Sequence, residues 1–172
     1  MTTQTQFGQA DALALAMVAY LSDNASDLCL PVTVQRRFLR VDDPKDLPDV
    51  TQPVQVDILP GVFNDAERYD RTSQAPPAGR GSWMGTFGIT LYMQQVVVGQ
   101  AEAQCPLLEL LRTQLLALVE AARLATPAAF LPMQNLVVGA VRSLNKGTYD
   151  LDRLVNDGCF SAGFTLTFKA SA

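Results

Sequence analysis

The sequence predicts a single α+β domain over 1–172: a mostly antiparallel sheet of four to five strands, two amphipathic helices packed on one of its faces, and a long loop between strands 2 and 3. Three observations lead there. Two segments repeat their apolar residues at helical spacing. Several others alternate apolar and polar residues with the period of two that a half-buried strand requires. These segments follow one another as helix, two strands, loop, strand, helix, strands.

Residues 1–8 read as a flexible polar tail. Behind them, Leu13, Met17, Tyr20 and Leu21 share one helical face, and "SDNAS" ends a helix over about 9–23. "VTVQRRFLRV" (32–41), rich in β-branched and aromatic residues, reads as the first strand. "DDPKDLPDV" breaks the pattern with two prolines and a run of aspartates, and "PVQVDILPG" forms the second strand, with Val54, Val56 and Ile58 facing inward. The two are expected to be antiparallel neighbours.

No apolar periodicity runs through 61–82, where charge is mixed with Pro and Gly; a loop of that length in a compact domain is commonly a binding loop. "WMGTFGITLYMQQVV" places Trp83, Gly85, Phe87, Ile89, Leu91 and Met93 on one strand face. From Ala101 to Leu124 the period becomes helical, with Leu107, Leu110, Leu111, Leu115, Leu118, Val119 and Ala122 as a broad stripe and Pro106 in the first turns. "NLVVGAVRSL" fits a strand or a buried extended segment, and "NKGTYDLDRLVNDG" reads as polar turn. The last strand, "CFSAGFTLTFKA", alternates Phe160, Ala162, Phe164, Leu166 and Phe168 against Ser161, Gly163, Thr165, Thr167 and Lys169.

Composition narrows function. With 48% apolar and 17% charged residues, the chain can bury a substantial core without a disulfide or metal. A net charge of -4 argues against a dedicated nucleic-acid binder, and the absence of histidine removes the commonest general base and zinc ligand. Cys29, Cys105 and Cys159 sit among apolar or small residues and read as buried hydrophobes in a reducing compartment. No basic leader and no membrane-length apolar run is apparent, so a soluble product made in the cytoplasm is expected, with no membrane partner.

Individual motifs lead to no chemistry. "GRGSWMG" precedes a strand, whereas a phosphate-binding glycine loop follows one and opens a helix. The aspartates at 42, 43, 46 and 49 lack the spacing of a calcium loop. No serine lies in a nucleophile elbow, and Lys45, Lys146 and Lys169 stand in polar surroundings. No enzymatic activity and no cofactor are therefore expected. A ligand-binding enzyme that uses the 61–82 loop as a lid stays as the alternative from another class.

The basic residues cluster as Arg36, Arg37 and Arg40 on the first strand and Arg68, Arg71 and Arg80 on the loop. Strand alternation would place Arg36 and Arg40 on one face and Arg37 on the other. Arginine suits interfaces because its planar fork pairs with carboxylates, and Asp42, Asp43 and Asp46 follow just downstream. These nine residues are the candidate subunit or partner interface, matched within one subunit or across two. Arg36→Glu or Arg37→Glu is expected to impair assembly and leave the subunit folded.

"LPVTVQRRFLRVDDPKDLPDVTQPVQVDILPG", a charged loop with "ERYDR", a long strand, the helix "LLELLRTQLLALVEAARL" and a closing "FSAGFTLTFK" strand together resemble a family of small tailed-phage proteins, the tail terminators and related neck proteins. The resemblance spans roughly Val32 to Lys169 and rests on patterns of residue type. The apolar "ATPAAFLPMQNLVVGAVRS" departs from the family's more polar link. The resemblance implies a virion protein of the tail or neck that assembles as a ring, usually a hexamer. Its implied partners are other copies of itself, the tail tube protein, and a head-side connector or stopper; DNA passes through the lumen without specific binding. The alternative within this class is a tail completion or head–tail adaptor protein.

Overall fold

The computed structural model describes residues 3–63, 86–124, 136–143 and 149–170. In chain order the elements are α1 (Thr3–Asp23), β1 (Val32–Arg36), β2 (Val54–Phe63), β3 (Thr86–Val96), α2 (Ala101–Leu124), β4 (Leu136–Ser143), α3 (Leu151–Asp157) and β5 (Cys159–Ala170), with short 3-10 turns at Ala25–Asp27 and Pro44–Asp46. The fold is α+β: three helices and one mixed five-stranded sheet in the order β1-β2-β3-β5-β4.

One sheet face is apolar across β2, β3 and β5. Val56 pairs with Met93 and Met93 with Ala162; Ile58 pairs with Leu91 and Leu91 with Phe164. Each row therefore puts its side chains on the same side. Leu13, Met17 and Leu21 of α1 and Leu108, Leu111, Leu115 and Val119 of α2 join these residues in one buried cluster. Both long helices thus cover one face, as the alternation in β2, β3 and β5 requires.

Several expectations are corrected. The helix begins at Thr3, so most of the segment read as a flexible tail over 1–8 is helical. In α2 the buried stripe runs through Leu108, Leu111, Leu115, Val119 and Ala122, while Leu107 and Leu110 are exposed. With so many leucines in the helix, two adjacent stripes fit a 3.6 period, and composition alone does not select between them. The polar stretch before β5 contains α3. Its ends are marked by Asp150, whose side chain accepts from the Arg153 N–H at 3.1 Å, and by Gly158 in the left-handed region at φ 61°. A Cβ at Gly158 would also collide with the Val98 side chain.

β1 and β2 are parallel, in register from Val32↔Val54 to Arg36↔Ile58. The expectation of antiparallel neighbours fails because residues 37–53 do not form a hairpin; they run across the sheet and return the chain to its starting end. A proline ends this pairing. Arg37 N–H donates to Ile58 O at 3.0 Å, and the next rung would need an N–H from residue 60, which is Pro60. β1 consequently stops at Arg36, and the chain leaves the sheet.

The 61–82 loop is shorter at its start than expected, since β2 continues through Phe63. The remainder of that loop lies outside the described residues, as do Trp83 and Gly85. Of the cysteines, only Cys159 is buried; Cys105 is half-buried and Cys29 exposed. Burial pushes all three thiols up from their ordinary pKa.

Candidate subunit interface

The polar face of the sheet is built from the alternate residues of the same strands. Gln55 and Asp57 of β2 lie beside Gln94 and Tyr92 of β3, and Gln94 lies beside Ser161 of β5. Much of this face is buried: Asp57 and Gln94 are 0% exposed. Buried polar groups need partners, and the 37–53 segment supplies many of them.

That segment behaves as a strap held by its own backbone carbonyls. Gln94 Nε2 donates to Val41 O at 3.1 Å, and Gln95 Nε2 donates to Asp49 O and Gln52 O, each at 3.1 Å. The Val96 N–H donates to Pro48 O at 2.8 Å. From α3, Arg153 Nη2 reaches Val41 O and Asp42 O, both at 3.0 Å, and Nη1 lies 3.4 Å from Asp42 Oδ1. Leu47 is buried within the acidic stretch.

The strap and its neighbours give a definite place to those sequence-selected residues that are described. Arg36 Nη1 pairs with Asp11 of α1 at 2.6 Å and stacks on Phe38, its guanidinium carbon 4.8 Å from the ring centroid. Arg37 Nε donates to Asp57 Oδ1 at 3.1 Å. Arg40 pairs with Asp42 at 2.8 Å and stacks 5.3 Å from the Tyr92 centroid. Because Tyr92 is the direct neighbour of Asp57 on the polar face, Arg37 and Arg40 serve the same side of the sheet. The expected grouping of Arg36 with Arg40 fails because strand alternation ends at Arg36.

Of these three arginines Arg40 alone pairs with the acidic turn, and each of the three finds a carboxylate inside its own subunit. Asp43 caps the 3-10 turn by accepting from the Lys45 N–H at 3.0 Å, and Asp46 lies in that turn, exposed. Arg40, hydrogen-bonded to Asp42, is the main cause holding that carboxyl below the usual carboxylate range. Slight burial opposes it, and the nearby charges of Arg40 and Arg153 add to it. Arg68, Arg71 and Arg80 lie outside the described residues.

Asp57 is the residue that sequence reasoning missed. It alternates with the inward-facing Val56 and Ile58, yet it is fully buried and accepts from Gln35 Nε2 at 3.0 Å, Arg37 Nε at 3.1 Å and Gln55 Nε2 at 2.5 Å. Arg153 and the Gln94–Gln95 pair were likewise unselected. The available signal was a glutamine dipeptide inside an otherwise apolar strand, where two amides without a solvent face must find backbone partners.

The surface beside the strap is partly apolar. Phe38 and Leu39, directly after β1, are 56% and 81% exposed, and Leu151 and Val155 of α3 are also exposed. A shallow open depression of about 260 Å³ lies between β1, β2 and the strap, lined by Thr33, Gln35, Pro48, Gln52, Pro53 and Gln55. Its rim holds amides, a hydroxyl and prolines, and none of these activates a nucleophile or transfers a proton near neutral pH. Among the described residues no three His, Cys, Asp or Glu side chains converge to hold a metal, and no helix is long and apolar enough to cross a membrane.

The described residues present exposed apolar side chains and paired arginines at and just after the end of β1, and among them the outer edges of β1 and β4 have no strand partner. No protein-family model matches the chain, and no curated protein sequence matches it.

Proposed function

We propose that this chain is a structural subunit of a tailed-phage virion, a tail terminator that assembles as a ring at the head-proximal end of the tail tube. In this reading the ring ends tube polymerisation and gives the head-side connector or stopper its docking surface. DNA passes through the lumen without sequence-specific contact. The protein has no enzymatic role and resides in the neck of the particle.

The observation that carries the reading is the sheet order. β1 and β4 stand at opposite ends of one sheet, each paired on one side only among the described residues. A closed ring needs two different, complementary patches on each subunit, and a sheet open at both ends supplies two. The order of segments adds support through its resemblance to the tail terminators. Arg36, Arg37 and Arg40 stand at the end of β1, although their charges are already matched within the subunit.

Mass measurement of the purified protein over a range of concentrations, alone and with tail tube protein, tests the proposal. A discrete ring, usually a hexamer in the resembled family, is the expected species. A monomer under every condition removes the ring. Locating the chain at the tube end or at the portal in virions separates a terminator from a tail completion or adaptor protein.

A further inference from the structure

We infer that the ring is sealed by strand pairing: the outer edge of β1 in one subunit takes the outer edge of β4 of the next copy, antiparallel, so that the sheets join head to tail. This inference rests on the ring proposed above and specifies its seam.

The edge of β1 can be read residue by residue. Pro31 O accepts from the Val54 N–H at 2.9 Å, and the Arg37 N–H donates to Ile58 O at 3.0 Å, so both residues point toward β2. Backbone groups along a strand alternate sides. Thr33 and Gln35 therefore also face β2, and the N–H and C=O groups of Val32, Val34 and Arg36 face outward. Nothing among the described residues pairs with them.

Strand direction selects the occupant. β1 is parallel to β2, β2 antiparallel to β3, β3 antiparallel to β5, and β5 antiparallel to β4. It follows that β4 runs opposite to β1 within one subunit. Copies related by a rotation that brings edge to edge keep nearly the same strand sense. The next copy's β4 therefore arrives antiparallel to β1, in the more stable ladder.

Composition points the same way. Edges that must stay free are usually guarded by lysine, proline or charge. "VTV" opens β1, and "LVVGAV" makes up most of β4, with Arg142 its one charged residue. Pairing β1 with a second β1 about a two-fold axis would leave the β4 edge uncovered, whereas head-to-tail pairing covers both edges with one type of contact. Phe38 and Leu39 follow β1 directly and would flank the seam, which accounts for two large apolar side chains in solvent.

Val34→Pro tests this, because it removes an outward N–H and leaves the β1–β2 ladder intact. The expected result is a folded V34P monomer, with wild-type circular dichroism, under conditions where the wild type forms rings. In parallel, hydrogen exchange of the wild type should show protection at Val32, Val34 and Arg36 and within 136–143 that is gained on assembly and lost on dilution to monomer. Rings in which only one of the two edges, or neither, gains protection would overturn the seam and leave the ring standing. A wild type that halts at a dimer with only β1 protected would establish two-fold β1 pairing instead. A wild type that never assembles removes the ring and, with it, the seam. Should V34P fail to fold, the exchange measurement on the wild type decides alone.

Discussion

Arg37 is the charged lid of Asp57. Its Nε donates to Asp57 Oδ1 at 3.1 Å, with the Arg37 side chain 40% exposed and the carboxylate fully buried. A carboxylate with no access to water needs a counter-charge and donors for both oxygens; Arg37, Gln35 and Gln55 provide them. An arginine chosen from the sequence as an interface residue therefore has a structural duty first.

Arg37→Gln should lower the stability of the subunit by about 2 kcal/mol, because the buried charge loses its cationic partner. Asp57→Asn should be tolerated better in the Arg37→Gln background than alone, giving a measurable coupling in a double-mutant cycle followed by urea unfolding. Arg37→Glu, expected from the sequence to spare the fold, instead sets a second carboxylate against Asp57 and should unfold the subunit. Arg36→Glu faces Asp11 across a partly solvated pair and should cost about 1 kcal/mol or less.

Arg153 fastens the strap to α3 through two carbonyls and a carboxylate. Arg153→Gln should leave the core intact yet accelerate hydrogen exchange across residues 41–46, with a global loss of about 1–3 kcal/mol. Unchanged exchange in the strap would mean that Gln94, Gln95 and the Val96 N–H hold it unaided.

Asp42 is held below its ordinary value of 3.8 chiefly by the hydrogen bond from Arg40. A carboxyl with a folded pKa below its unfolded one stabilises the fold at pH above the unfolded value, and that contribution disappears as pH falls through the folded value. Acidification below about pH 4 should therefore loosen the strap at Arg40 and Arg153. Arg40→Gln should move the Asp42 carboxyl titration upward, as read by NMR. A midpoint unaffected by the substitution would assign the shift to Arg153.

Leu110 and Leu111 are adjacent in α2, the first about half exposed and the second fully buried. Leu111→Ala should destabilise the protein by about 3 kcal/mol through lost burial and a residual cavity, and Leu110→Ala by less than about 0.5 kcal/mol. Equal effects in chemical denaturation would place the helix in a different rotation.

Gly158 caps α3 at positive φ with its Cα side against Val98. Gly158→Ala should cost about 1–3 kcal/mol from the left-handed backbone alone, and contact with Val98 adds to it. Thermal unfolding measures the total; truncating Val98 in the same chain should recover part of it.

Local chemistry in the sequence determined a good deal of this protein. The period of two in β2, β3 and β5 identified the apolar core face of the sheet, since Val54, Val56, Ile58, Ile89, Leu91, Met93, Phe160 and Phe164 all reach the core. The helical period located α1 and α2, and Leu13, Met17 and Leu21 lie on the face that the spacing selected. Periodicity reports which side of an element is apolar, because that pattern is set by residues a few positions apart.

Tertiary structure alone decided the rest. Nothing local distinguishes a parallel from an antiparallel neighbour for "VTVQR"; the path of the strap across the sheet does, together with the missing N–H of Pro60. The choice between two overlapping leucine stripes in α2 was made by the sheet beneath it. The partners of Arg36, Arg37 and Arg40 lie in α1, in β2 and in the acidic turn. A charge pairs with whichever opposite charge the fold brings within reach, and sequence distance does not measure that reach.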